Sequence, residues 1–384
     1  MKKWERKFCF FQNDDTPTNQ ITSISVAKSG DQICAGTMSG QIYLFERRVD
    51  GSWDKTLTWI ANKEIVDVRQ QKAISGKVID TDIFTIQRKC PLLISAGLRE
   101  IRLWFISDRY EPVAPAGFVP KGIQFPPISS RERFVTANEI SLIQSDSSFG
   151  SVRACQDGLS FAYTENTNVV IRRADHIEPY LIVFKNDSTL TRVDFHPTQF
   201  DILLTGDELG FCNFIDLRVQ PTQSSATLRA NSSKVLMDRH AYCADCRFSP
   251  DGSKFFTRHF GDILIWDQRN LADPLTHVKI PPDSGDIGKI ISQDGKDFFR
   301  STWIDNTAVA TGWFGGEMYA ISIKGKISKL FATKNSQKSG KKFFSSEKKK
   351  QWAKDHCVSS VDIAPGGTRA AASNGGDLFI YDLL

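Results

Sequence analysis

Hydrophobic and polar positions alternate along most of the chain in short runs that are separated by turns. Seven segments repeat one order: an alternating run, a turn, a run of small residues, a second turn, and a closing alternating run. Alternation with period two is typical of half-buried strands, so the repeat predicts one small sheet per segment. The segments are Ile21–Phe45, Val78–Trp104, Ile140–Arg172, Leu190–Asp216, Cys243–Asp267, Phe299–Ile321 and Val358–Asp382.

Turn-forming and small residues occupy the places that a ring of such sheets requires. Pro-Asp-Gly at 250–252 and Pro-Gly-Gly at 365–367 supply turn conformations between strands. Small residues such as Thr205-Gly206 and Ala310-Thr311-Gly312 fall on the middle strands, where sheets crowd toward an axis. Helical periodicity is nearly absent. We therefore predict an all-β fold, a single seven-bladed WD-type β-propeller that spans residues 1–384.

The two ends of the chain predict how the ring closes. Trp4, Phe8 and Phe10 alternate with polar residues, and the chain ends on a strand pattern. We expect Trp4–Phe11 to pair with the last blade, because an unpaired strand edge at each terminus would promote aggregation.

Two segments do not fit the repeat. Residues 107–138 hold five prolines and several apolar residues, and this insertion after blade two is too long for a plain loop and too apolar for a disordered one. Residues 324–354 hold eleven lysines and one acid before blade seven, so the rest of the chain is net acidic. This basic run could contact nucleic acid, a membrane or an acidic partner, or act as a nuclear address. A solvated, self-repelling loop is the favoured interpretation.

Short stretches in six of the seven segments match the pattern of a known family. They are Ser29–Thr37 with Gly40–Phe45, Leu93–Trp104, Val193–Pro197, Arg247–Ser249, Thr257-Arg258 before Ile263–Asp267, Val309–Gly312 and Gly376–Tyr381. With the two insertions in this order, the chain resembles the B-family (WD-repeat type) regulatory subunit of protein phosphatase 2A along nearly its whole length.

The resemblance implies a protein without catalytic activity of its own. Members of that family dock on a helical-repeat scaffold subunit beside a metal-dependent Ser/Thr phosphatase catalytic subunit. They recruit basic segments of phosphoproteins to an acidic groove on the top face. The residues implied for the groove are Glu165, Asn166, Asp207 and Glu208, and those implied for scaffold binding are Val113, Phe118, Val119, Ile123 and Phe125.

This chain departs from the family pattern in three places. Thr257-Arg258-His259 stands where the family has Thr-Arg-Asp, and we interpret these residues as structural. Thr164-Glu165-Asn166 stands where the family has a paired acidic turn. The resemblance implies that the insertion after blade two is a projecting hairpin that grips the scaffold subunit, and in this chain it is shorter.

Motifs for catalysis or metal binding are scarce. The sequence has no Gly-x-Ser-x-Gly elbow, His-Glu-x-x-His, Walker loop or Rossmann fingerprint. His240-x-x-Cys243-x-x-Cys246 lacks a second ligand pair, and residues three apart on a strand face opposite sides. We therefore expect no metal and no cofactor.

Cysteine usage and hydropathy indicate a reducing interior compartment with free thiols. No stretch reaches the ~20 apolar residues of a membrane span, and the apolar run near the start is too short for a signal peptide. A cytoplasmic location is expected, with the nucleus as a further possibility. Two other functions stay open, a generic WD-repeat adaptor and an RNA-associated scaffold propeller. Nucleic acid and membrane are not the expected partners, and a propeller hydrolase is disfavoured.

Overall fold

Strands and turns make up the part of the chain that the computed structural model describes. The described residues are 4–10, 20–60, 65–67, 72–74, 77–86, 90–108, 135–173, 181–218, 229–231, 242–280, 299–313, 316–332, 358–364, 367–375 and 377–383. Within these ranges there is no helix, and hence none that could cross a membrane.

Thirty strands lie within the described residues. The first eleven are β1 (Trp4–Phe10), β2 (Ile21–Val26), β3 (Gln32–Thr37), β4 (Gln41–Arg47), β5 (Trp53–Ile60), β6 (Ile65–Asp67), β7 (Lys72–Ile74), β8 (Asp80–Ile86), β9 (Cys90–Ala96), β10 (Glu100–Asp108) and β11 (Val135–Gln144). The next eight are β12 (Phe149–Ala154), β13 (Ser160–Glu165), β14 (Asn168–Arg173), β15 (Leu181–Lys185), β16 (Leu190–Phe195), β17 (Ile202–Asp207), β18 (Phe211–Asp216) and β19 (Arg229–Asn231). The last eleven are β20 (Asp245–Phe248), β21 (Lys254–Arg258), β22 (Asp262–Asp267), β23 (Thr276–Lys279), β24 (Ser301–Asp305), β25 (Ala308–Trp313), β26 (Glu317–Ser322), β27 (Ile327–Ala332), β28 (Val361–Ile363), β29 (Arg369–Asn374) and β30 (Asp377–Leu383).

These strands form seven four-stranded antiparallel sheets, and β6 and β7 form a separate small hairpin. The blades are β2–β5, β8–β11, β12–β15, β16–β19, β20–β23, β24–β27 and β28–β30 with β1. The first strands contact one another in the order β2, β8, β12, β16, β20, β24, β28 and back to β2, so they surround one axis. The prediction of an all-β seven-bladed propeller is confirmed.

The N-terminal strand closes the ring. β1 pairs antiparallel with β30, from Trp4 opposite Leu383 to Phe10 opposite Leu378. The last blade is therefore built from both ends of the chain, as the alternation of aromatic residues near the N-terminus predicts. Because β1 pairs with β30, each terminal strand has a partner along at least one edge.

Blade two differs in its boundaries from the sequence interpretation. Residues 107–108 and 135–138 belong to β10 and β11, which are the third and outermost strands of blade two. The insertion therefore starts and ends inside this blade, between two of its strands, and does not follow it. Blade three begins at Phe149, because Ile140 belongs to the outermost strand of blade two.

The apolar core lies between the blades. Each pair of neighbouring blades encloses one cluster of buried side chains, and the closing interface joins Ile380 of blade seven to Phe45 of blade one. Both faces of every sheet are covered, so middle strands such as β3 and β25 are buried at almost every residue. This explains why their sequences show apolar and small residues without clear alternation.

A glycine on β25 shows how closely the sheets approach. A Cβ atom on Gly312 would lie 1.9 Å from the carbonyl oxygen of Val358 in the next blade. A backbone atom cannot move aside as a side chain can, so this position excludes every other residue. The small residues of the middle strands are therefore a packing requirement.

We predict that aromatic packing of β1 stabilises the closed ring. The rings of Phe8 and Phe10 lie 6.0 and 5.4 Å from the ring of Phe45. Replacing both phenylalanines by Ala is expected to lower the free energy of unfolding by about 2–4 kcal/mol, because both are partly buried. Urea unfolding measures this change. Arg6→Ala, an exposed position on the same strand, is expected to change it by less than about 0.5 kcal/mol. Equal effects would contradict the prediction.

Candidate functional site

The hairpin topology gives the propeller two distinct faces. We call the top face the one formed by the turns between second and third strands and by the connections between blades. The bottom face carries the turns between first and second strands and between third and fourth strands. Every first strand runs from the top face to the bottom face.

Carboxylates on the first strands bond to the backbone of the next blade. The first strand is the edge of its sheet, so half of its N–H groups have no partner in the ladder. Asp82 on blade two accepts a hydrogen bond from the backbone N–H of Ala154 on blade three at 2.8 Å. The same contact recurs from Val152 to Asp80, from Phe248 to Asp194, from Ser301 to Asp245 and from Val26 to Asp362, at 2.8–3.1 Å.

Three buried arginines and the partly buried Arg247 balance these carboxylates. Arg247 Nη1 lies 2.9 Å from Asp362 Oδ1, and Arg153 Nη1 lies 3.5 Å from Asp80 Oδ1. Arg192 Nε lies 3.7 Å from Asp245 Oδ1. A buried charge is costly without a partner, so the acids and arginines must occur together.

Arg300 extends this ionic layer across the axis. It lies just before β24 of blade six, yet its Nη2 atom donates a 2.8 Å hydrogen bond to the carbonyl oxygen of Ile79 beside blade two. The same nitrogen is 3.8 Å from Asp80 Oδ1. The arginine therefore links blades that are distant in the ring.

A cavity of about 890 Å³ lies where the first strands approach the bottom face. All seven blades contribute to its lining. Its polar residues are Ser25, Lys28, Asp82, Arg153, Gln156, Asp157, Asp194, Arg247, Ser249, Thr302 and Asp362, and its aromatic residues are Phe84, Phe195, Phe248 and Trp303. A concave site of this size with mixed lining can accommodate a small molecule or the side chains of a bound peptide.

The cavity holds an acid with a strongly shifted pKa. Burial raises the pKa of Asp194 to about 7, although Arg153 and the backbone N–H of Phe248 oppose the shift. Burial also raises the pKa of Asp82. For Arg153, burial lowers the pKa, but the carboxylates of Asp80 and Asp82 outweigh it and the pKa rises. The guanidinium therefore stays charged.

The residues implied for a groove lie on the top face, opposite this cavity. Glu165 is half-buried at the end of β13, where its carboxylate accepts a hydrogen bond from the hydroxyl of Ser145. Asn166 is exposed and has a φ of 52°, which Asn tolerates better than most residues. Glu208 is also exposed.

Asp207 is fully buried, in contrast to the residue that follows it. Its Oδ1 atom accepts backbone hydrogen bonds from Leu209 at 3.0 Å and Phe211 at 2.8 Å. Its Oδ2 atom accepts a hydrogen bond from the side-chain amide of Asn186 at 2.9 Å. This carboxylate therefore holds its own turn together, and Glu208 is the acid that blade four presents on the surface.

Two further acids belong to the same surface and were not singled out from the sequence. Asp146 and Asp187 are exposed in the connections before blades three and four. Backbone hydrogen bonds tie these connections to the neighbouring turns, from Asn166 N to Ser148 O at 2.8 Å and from Glu208 N to Thr189 O at 3.0 Å. The repeat pattern could not reveal them, because connections between blades lie outside it.

We call this surface the acidic turn surface; it comprises residues 97–99, 145–148, 165–167, 186–189 and 208–210. Its acids are Asp146, Glu165, Asp187 and Glu208. Arg99 is the basic residue among the described residues of this surface, and Lys185 lies at the edge of the surface. Leu98 and Leu209 are exposed large apolar residues on it.

Thr257, Arg258 and His259 lie in the interior of the propeller. Thr257 Oγ1 accepts a hydrogen bond from Trp266 Nε1 at 3.2 Å and contacts His259 Nε2 at 3.0 Å. His259 Nδ1 lies 3.1 Å from the carbonyl oxygen of Tyr242. These contacts join the start and the middle of blade five.

Arg258 reaches the neighbouring blade. Its guanidinium lies over the rings of Phe299 and Trp313, 4.8 and 5.6 Å from their centroids. Arg258 is fully buried and makes these cation–π contacts with the next blade, which indicates that it is a packing residue.

The cysteines of blade five are arranged differently from the sequence expectation. Cys243 precedes β20 and does not lie on it, so the alternation of side chains along a strand does not separate it from Cys246. Their thiols come together with that of Cys212, a residue that no motif marked. His240, the other member of the motif, lies outside the described residues.

The residues implied for scaffold binding, Val113, Phe118, Val119, Ile123 and Phe125, lie outside the described residues. Of the Lys-rich segment, residues 324–332 are described, and most of them form β27 of blade six. Lys329 there pairs with Glu317 on β26.

We predict that Asp194 makes stability depend on pH. The folded protein keeps the proton of Asp194 up to about pH 7, whereas an unfolded chain loses it near pH 4. The free energy of unfolding should therefore fall between about pH 4 and 7, by at most ~1.4 kcal/mol per pH unit from this group. Asp194→Asn keeps the shape of the protonated acid and should remove this slope. Urea unfolding across this range, with the exposed Asp201→Asn as control, measures it. Identical slopes in wild type and Asp194→Asn would refute it.

The chain was also compared with known proteins. Neither the models of protein families nor the curated proteins yielded a match. The seven-bladed architecture and the chemistry of the two faces are therefore what bears on function.

Proposed function

We propose that this propeller is a non-catalytic regulatory and substrate-recruiting subunit of a Ser/Thr protein phosphatase 2A-type holoenzyme. Its partners would be the scaffold and catalytic subunits and basic phosphoprotein substrates. The acidic turn surface is the observation that carries the proposal. A propeller is compatible with an adaptor or scaffold role, and this surface supplies a specific place for a basic partner segment.

Charge and shape on the acidic turn surface favour such a segment. Glu208, Asp146 and Asp187 are exposed, and Glu165 is half-buried between two blades. Carboxylates gathered on one surface attract a basic chain over a Debye length of ~10 Å in moderate salt. The exposed side chains of Leu98 and Leu209 offer apolar contacts to the same segment.

The outer hairpin of blade two supports a separate site for the scaffold. β10 continues past the end of its pairing with β9 at Phe105, and it pairs with β11 alone as far as Asp108 opposite Val135. The strand ends that flank the insertion, Asp108 and Val135, thus lie on the bottom-face side of the blade, whereas the acidic turn surface lies on the top face. Scaffold binding through the insertion and substrate binding on the top face would not compete.

We predict that reversing charge on the acidic turn surface weakens binding of basic substrates. Glu165→Lys with Glu208→Lys removes two attractions and adds two repulsions. The Kd for a fluorescent phosphoserine peptide rich in Lys and Arg should rise about tenfold or more in low salt, and less in high salt. Fluorescence anisotropy measures the Kd.

The matched control is Asp201→Lys, because Asp201 is an exposed acid of the same blade on the bottom face. Its Kd should stay within about twofold of the wild-type value, since the bound peptide lies on the other face. If all three proteins bind the peptide alike, the acidic turn surface is not the substrate site.

We also predict that the apolar residues of the insertion hold the scaffold subunit. Replacing Phe118, Val119 and Phe125 by Ser should abolish co-purification with the scaffold and catalytic subunits, because buried aromatic and aliphatic anchors dominate interfaces. The thermal unfolding of the propeller and its affinity for the basic peptide should not change. Unchanged co-purification would instead favour a generic WD-repeat adaptor.

A further inference from the structure

Three thiols meet at the interface of blades four and five. The sulfur atoms of Cys212 on β18, Cys243 before β20 and Cys246 on β20 all lie within 4.8 Å of one another. At least 99% of the surface of each residue is buried. We call these residues the thiol triad.

Hydrogen bonds between the blades hold the triad in place. The backbone N–H of Cys243 donates to the carbonyl oxygen of Asp207 at 3.1 Å, and its carbonyl oxygen accepts from Thr191 Oγ1 at 2.6 Å. Cys243 is thus fixed to blade four although it leads into blade five. The thiols on the two blades face each other across an interface that cannot shift freely.

A glycine makes room for the triad. Gly206 lies opposite Cys212 in the ladder of β17 and β18. A Cβ atom there would lie 2.6 Å from the sulfur of Cys243 and 3.3 Å from that of Cys246. The space beside the three sulfur atoms therefore depends on the absence of a side chain at position 206.

Hydrogen bonds connect the three thiols of the triad. The sulfur atom of Cys243 accepts hydrogen bonds from the thiols of Cys212 and Cys246. The lone pairs and the S–H protons of the three sulfur atoms thus point into the same small space. A cation in that space could take the place of these protons.

The donor set selects the kind of cation. Thiolates are soft ligands, which favour copper(I), whereas a structural zinc site uses four ligands. Among the described residues, no fourth Cys, His or carboxylate joins the group. The nearby His259 has both ring nitrogens in contact with Tyr242 and Thr257.

We propose that Cys212, Cys243 and Cys246 bind one soft monovalent metal ion of the copper(I) class and thereby link blades four and five. Each metal–sulfur bond replaces an S–H bond, and the displaced proton passes to solvent. No group changes its oxidation state. Because the site forms only in the folded protein, bound metal stabilises the fold.

Copper(I) itself is the probe for the test. The reduced full-length protein is titrated without oxygen against a chromophoric copper(I) chelator. Wild type should withdraw one equivalent of copper(I) more from the chelator than Cys243→Ser does, and copper(I) should raise the melting temperature of wild type but not that of Cys243→Ser. Cys34→Ser, at a buried cysteine of blade one outside the triad, should behave as wild type does.

Wild-type protein alone gives an independent readout, which matters if Cys243→Ser folds poorly. X-ray absorption of the copper(I)-loaded protein should show three sulfur neighbours and no nitrogen. Equal copper(I) uptake by wild type and Cys243→Ser would overturn the proposal. So would two-coordinate copper, a disulfide formed within the triad, or retention of one zinc ion in place of copper(I).

Discussion

Seven edge strands that face one axis impose the main constraint on this molecule. The first strand of every blade has a sheet neighbour on one side only, so its remaining N–H groups point toward the adjoining blade. Most of the residues that carry them are buried, and an unpaired buried N–H is costly. Side chains of the adjoining first strands meet this need, chiefly carboxylates such as Asp82, Asp194 and Asp362.

That solution creates the charged interior. Carboxylates at the axis cannot stay ionised there without counter-charges, which explains Arg153, Arg192, Arg247 and Arg300. Asp194 has no arginine within ion-pair distance among the described residues, and burial raises its pKa to about 7. The bottom cavity and the acidic turn surface lie at opposite ends of the first strands, so the two faces can bind different partners.

Every pair of neighbouring blades is held by buried side chains, but the types of side chain differ from one interface to the next. Aromatic rings of β1 and blade one join the first and last blades, cation–π contacts of Arg258 join blades five and six, and the thiol triad joins blades four and five. Each interface is a separate layer of buried side chains. A single interface can therefore acquire a ligand site or a binding surface while the others maintain the ring.

The sequence by itself determined the all-β class, the number of blades and the strand that closes the ring. Alternation of apolar residues and the turns between them are local signals, and seven copies of one signal leave little choice of architecture. The tertiary structure alone decided the sites. It buried Asp207 and exposed Glu208, added Asp146 and Asp187 to one surface, and placed Cys212 beside two cysteines of the next blade. These outcomes depend on contacts between residues of different blades, and a local pattern carries no information on which side chains meet across an interface.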